Sequence, residues 1–165
     1  MTPSSNLYSL GKNSKTTILA IEDGKLSLEF EVTTGQTVYE GMPVKLTADG
    51  KITPWVKTDA ITKLIGHVYG GPVVGNTPAS WVAGDLVTVF MRAHLLIYAL
   101  SAAAVDCDTP VTQSSYDTST AVDGGELNGT TGFNKVEQAA SNTPMGWALD
   151  QADAADELIK VAMFH

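Results

Sequence analysis

From Ile18 onward, apolar and polar residues fall in short alternating runs. In "KLSLEFEV" (Lys25 to Val32), Leu26, Leu28, Phe30 and Val32 point one way and Ser27, Glu29 and Glu31 the other. That is the period-two signature of a half-buried strand. "PVKLTADGKITPW" (Pro43 to Trp55) predicts a hairpin, with Asp49-Gly50 supplying the positive backbone dihedrals of its tight turn. "LIGHVYG" (Leu64 to Gly70) and "DLVTVFM" (Asp85 to Met91) are further β-rich runs. "HLLIYAL" (His94 to Leu100) is apolar without alternation. A strand buried on both faces reads this way, as at a barrel interior that also meets another subunit. "SAAAV" (Ser101 to Val105) reads as a short helical turn.

Three segments echo one another in order. Pro43-Val44 returns as Pro110-Val111, "IGHVYG" (Ile65 to Gly70) as "MGWALD" (Met145 to Asp150), and "AGDLVTVFM" (Ala83 to Met91) as "ADELIKVAM" (Ala155 to Met163). The ordered set predicts two copies of one β unit, closing on each other as the two related halves of a small all-β barrel without free edges. A competing pattern runs through the second copy. Ala148, Leu149, Ala152, Ala155, Ile159 and Ala162 recur at three- and four-residue steps, as in an amphipathic helix. The echo favours strand, turn and strand, and we follow it.

Two stretches break the β texture. Residues 1–17 are polar, with Lys12 and Lys15 and no acid. They are read as an extended N-terminal arm preceding a single barrel domain, residues 18–165. Such a segment buries too little to order itself. It is either a floppy terminus or an arm that orders on a neighbouring subunit, with Leu7, Tyr8 and Leu10 as anchors. Residues 112–135, rich in Thr, Ser, Gly, Asp and Asn, predict a long irregular surface excursion.

Composition narrows the function classes. The formal charge is −8, whereas a nucleic-acid binder needs a basic face to offset phosphate. The single cysteine, Cys107, closes no intrachain disulfide and fits a reducing compartment. No apolar run reaches the roughly 20 residues of a membrane helix, and the N-terminus lacks the plan of a signal peptide. The expectation is a soluble, cytosolic, acidic protein that binds neither nucleic acid nor membrane.

Chemistry-bearing motifs are sparse. His67, His94 and His165 stand at no metal-ligand spacing with one another or with the cysteine. The chain holds neither a G-x-S-x-G elbow nor a P-loop. Asp106 and Asp108 beside Cys107, and "DGGELNG" (Asp123 to Gly129), read as solvated turns and not as calcium loops. Acids beside Cys107 do nothing to activate its thiol. Trp55, Trp81 and Trp147 in or beside the β runs are read as packing groups. Gathered on one face, they would instead grip a sugar. No catalytic residue, metal ligand or cofactor is expected, and the protein is read as not an enzyme.

The stretch "GQTVYEGMPVKL" (Gly35 to Leu46) first resembles a biotinyl/lipoyl-type barrel, but the modified lysine and its flanking residues are missing from the hairpin "TADGK". A broader resemblance runs from Ile18 to the C-terminus. Gly41, Pro43, Val44, Gly66, Gly84, Asp85, Gly146 and Val161 stand where the small β-barrel capsid decoration (cement) proteins of tailed bacteriophages carry their glycine-introduced Pro-Val strand, "iGvv" strand and "GD.V.V" strand, and a shorter second copy. The chain departs from that pattern at Ala155-Asp156, which lacks the glycine, and in the long excursion. The resemblance implies a structural virion protein on the outer capsid surface, made in the host cytoplasm. Its implied partners are the major capsid protein and itself, as a homotrimer. The arm anchors and the unalternating strand Leu95, Leu96, Ile97 and Tyr98 are the expected contacts. The alternative is a surface-adhesion or carbohydrate-binding module of the virion.

Overall fold

The computed structural model describes residues 7–9, 18–22, 26–69, 79–123, 127–139 and 144–164. The fold is nearly all β and contains a closed five-stranded barrel. In chain order the strands are β1 (Leu7–Ser9), β2 (Ile18–Glu22), β3 (Ser27–Glu31), β4 (Thr37–Tyr39), β5 (Pro43–Leu46), β6 (Ile52–Pro54) and β7 (Leu64–Tyr69). They continue as β8 (Ser80–Val82), β9 (Leu86–Met91), β10 (Leu95–Ser101), β11 (Pro110–Asp117), β12 (Phe133–Gln138), β13 (Gly146–Ala148) and β14 (Leu158–Met163). One 3-10 turn, Ile61–Lys63, precedes β7.

One sheet runs β3-β9-β7-β5-β6, and its outer strands meet at a parallel bridge between Val32 and Ile52. The Thr33 N–H donates to the Ile52 carbonyl there at 2.9 Å. The other sheet orders β10-β12-β11-β13-β14 and closes because β14 pairs back onto β10. The β1–β2 hairpin joins this ring by pairing β2 along one end of β10. A short β4–β8 ribbon stands apart.

The echoed segments therefore lie in two separate sheets, and the expectation of one barrel assembled from two halves is not confirmed. Within the sheets their places coincide. Val44 pairs with Gly66 and Gly66 with Met91 in the first; Val111 pairs with Gly146 and Gly146 with Met163 in the second. Residues 148–163 form strand, turn and strand, as the echo predicts, and the helical periodicity is not realised. The alanines at helical spacing divide between β13, the turn and β14, where pairing to β10 and β13 satisfies the backbone groups a helix would have satisfied locally.

Three further expectations are corrected. "SAAAV" is no helical turn: Ser101 ends β10, and Val105 bridges Ala152. The excursion is shorter than residues 112–135, because 112–117 belong to β11 and 133–135 to β12. In the Pro43–Trp55 hairpin only Gly50 has positive φ, +78°; Asp49 instead accepts the Thr47 hydroxyl.

One core spans both sheets, joining Trp55, Leu64 and Ala93 of the first to Leu95, Ile97, Val111, Val136, Ile159 and Val161 of the second. A second fills the first sheet with Val32, Val38, Val44, Ile52, Val68, Val87 and Val89. Tyr39 stacks on Tyr116 across the seam, centroids 5.1 Å apart. The Asn134 side-chain amide donates to the Gly41 carbonyl at 2.7 Å.

Candidate functional site: an open sheet edge

β10 explains its own composition. Leu95, Ile97 and Ala99 face the shared core. On the other face Tyr98 packs against a small cluster of Leu100, Val122, Leu127 and Phe133. The loop between β11 and β12 thus folds back to cover the strand's outer side. Apolar residues on both faces have a cause within one chain, so the reason for expecting a subunit contact at Leu95, Leu96, Ile97 and Tyr98 is gone. Leu96 and Tyr98 are half-buried.

Of the arm anchors, Leu7 and Tyr8 lie in β1, whose backbone pairs antiparallel with β2 of the same chain, Leu7 opposite Glu22 and Tyr8 opposite Ile21. Leu10 lies outside the described residues.

The returning loop is held at its root by Asp117. Its carboxylate accepts the Ser119 and Thr120 N–H groups at 2.7 and 2.9 Å and both hydroxyls. Burial alone would raise its pKa; the hydrogen bonds from Thr120 and Ser119 outweigh that and hold the group well below the usual carboxylate range. Lys135 bridges Asp117 and Asp156, tying β12 to the turn before β14.

The tryptophans do not share a face. Trp55 is buried in the shared core, and Trp81 packs against the first-sheet core. Trp147 is partly exposed, its indole N–H donating to Asp108. Among the described residues no three His, Cys, Asp or Glu side chains converge on a point that would hold an ion. A cleft of about 60 Å³ lies in the seam, between Met42, Trp55 and Lys57 on one side and Gln113 and Tyr116 on the other. That is room for a few waters.

The surface feature that stands out is β3. Phe30 and Val32 reach the first-sheet core, but Leu26 and Leu28, on the same face of the strand, are 59% and 43% exposed. β3 pairs with β9 on one side, and among the described residues no strand pairs with residues 27–31 on the other. The Met91 N–H donates to the Leu26 carbonyl, and the Val32 N–H to the Asp85 carbonyl. Antiparallel alternation then turns the backbone groups of Ser27 and Glu29 toward the open side. At the strand's far end Leu86, opposite Glu31, is also exposed, as is Val82 in β8. Sequence reading placed Leu26 and Leu28 in the core. The alternation is real, but it does not say where along a strand the cover ends.

Comparison of the chain with known family models, with curated proteins and with solved structures gives no match.

Proposed function

We propose that this is a structural virion protein that decorates the outside of a phage capsid and cements it. The observation that carries the reading is the leucine-bearing β3 edge, which no strand among the described residues covers along residues 27–31. Exposed apolar side chains beside unpaired backbone groups are a contact surface for another protein. The resemblance of the Pro43–Val44, Gly66 and Gly84-Asp85 segments to decoration proteins adds to it, since all three fall around one sheet, in β5, in β7 and just before β9. An acidic body with charge −8 also suits a particle surface, where like charge keeps particles apart. The adhesion alternative loses ground, because two of its three tryptophans pack against cores.

A cement protein acts by mass action, binding the assembled lattice and not its loose subunits. Many copies multiply a modest contact, and a trimer bridging capsomers gains from effective concentration. Particles stripped of the protein are expected to rupture at lower temperature and to recover when purified protein is added back. Equal rupture temperatures with and without it would remove the cementing reading and leave adhesion.

A further inference from the structure

β3 and β10 hold the same place in their sheets. Each pairs antiparallel with a closing strand, β9 or β14, and each ends on a parallel pairing, Val32 with Ile52 and Ser101 with Val136. With Met91 and Met163 as equivalents, each opposite its glycine, the register aligns the two strands residue by residue. Leu28 pairs with Val89 as Ile97 pairs with Val161, and Leu26 meets Met91 as Leu95 meets Met163. Leu26 and Leu28 are therefore the counterparts of Leu95 and Ile97.

Their cover differs. Leu95 and Ile97 are 2% and 0% exposed, and β2 lies along their edge, setting Ile21 opposite Leu95 and Ile18 opposite Ile97. Leu26 and Leu28 have no such strand among the described residues. In one sheet the edge is filled by an antiparallel segment with isoleucines over the apolar row; in the other the same edge, with the same kind of row, stands open.

We infer that the β3 edge is a strand-addition site, filled by an extended segment of the capsid lattice protein. That segment runs antiparallel to β3, as β2 runs to β10. It carries aliphatic residues over Leu26 and Leu28, and lysine or arginine facing Glu29. Main-chain hydrogen bonds to Ser27 and Glu29 supply affinity, and the two leucines supply selectivity. Charge decides against a second copy. An isologous β3–β3 pairing centred on the strand would oppose Glu29 to Glu29, and like charges directly opposite are destabilising. The identity of the partner rests on the decoration reading; the strand-addition mode rests on the β3–β10 comparison.

The test is co-sedimentation of purified protein with stripped particles, together with hydrogen exchange at the β3 amides. Leu28→Lys places a charge in the apolar row. Glu29→Pro removes an outward N–H that β9 does not use. Leu46→Lys alters an exposed leucine on β5 as a control. Wild type and the control are expected to bind equally, with slowed exchange at Ser27 and Glu29. The two β3 variants are expected to bind about tenfold or more weakly, with unfolding temperatures close to wild type. If wild type binds and both β3 variants bind as well, strand addition is wrong although decoration stands. Failure of wild type to bind removes decoration and the stated partner together. A concentration-dependent dimer that Leu28→Lys abolishes would make a second copy the occupant and overturn the inference.

Discussion

Gly66 lies so close against Phe90 that a Cβ on the glycine would stand 2.0 Å from the Phe90 carbonyl oxygen. Gly146 repeats the relationship against the Ala162 carbonyl oxygen, at 2.6 Å. Both distances are to backbone, which cannot swing aside as a flexible side chain does. These glycines are required for close approach between paired strands and not for a turn. Gly66→Ala is expected to destabilise by about 2–4 kcal/mol and Gly146→Ala by about 1–3 kcal/mol, the larger effect at the shorter distance. Thermal unfolding of the two variants checks both the sizes and their order. A Gly66→Ala protein as stable as wild type would mean the strands do not approach this closely.

Asn134 and Lys57 both reach across the seam, with opposite expectations. Asn134 is buried and satisfies the Gly41 carbonyl. Asn134→Ala is expected to cost about 1–3 kcal/mol, since a buried acceptor loses its donor. Lys57 pairs with Glu137 at 3.0 Å near the surface, with side chains 48% and 34% exposed. Lys57→Ala is expected to change stability by less than about 0.5 kcal/mol. Denaturant unfolding curves compare the two.

Asp117 gives the protein an acid-sensitive joint. Its folded pKa lies below the unfolded value near 3.8, so the unfolded chain takes up a proton first as pH falls. The contribution is complete at neutral pH, begins to fade below about pH 5, and is lost progressively toward the depressed folded pKa. Asp117→Asn is expected to lose roughly 1–3 kcal/mol at pH 7 and to flatten the dependence of stability on pH below 5. Equal acid slopes in variant and wild type would assign the sensitivity to other carboxylates.

Tyr116 behaves oppositely. Burial first, then the nearby Glu40 charge and Tyr39, push its phenol well above the usual value of 10.0. Its hydroxyl donates to the Glu40 carbonyl at 3.3 Å. The unfolded chain ionises first as pH rises, so stability is expected to fall above about pH 10. In a spectrophotometric titration of the five tyrosines, Tyr116 is expected to ionise only with unfolding. In Tyr116→Phe that late step should disappear.

Alternation between Lys25 and Val32, the Pro-Val strands and the ordered echoes were enough to read an all-β barrel fold from the chain alone, because side-chain period and turn chemistry are local properties. The echo also chose strand over helix for Ala148 to Met163, where periodicity pointed the other way. The strand pairings that close the barrel were not legible. Which strands share a sheet depends on pairings between residues far apart, such as Val32 with Ile52 and Leu95 with Met163, and no local pattern encodes them. The candidate site was hidden for the same reason. Leu26 and Leu28 read as the buried face of an alternating strand, and Leu95 and Ile97 as part of a strand apolar on both faces and expected at a subunit contact. Only the tertiary structure decided that β2 covers the second pair while no strand among the described residues covers the first, since burial depends on what the rest of the chain lays against a strand and not on the strand itself.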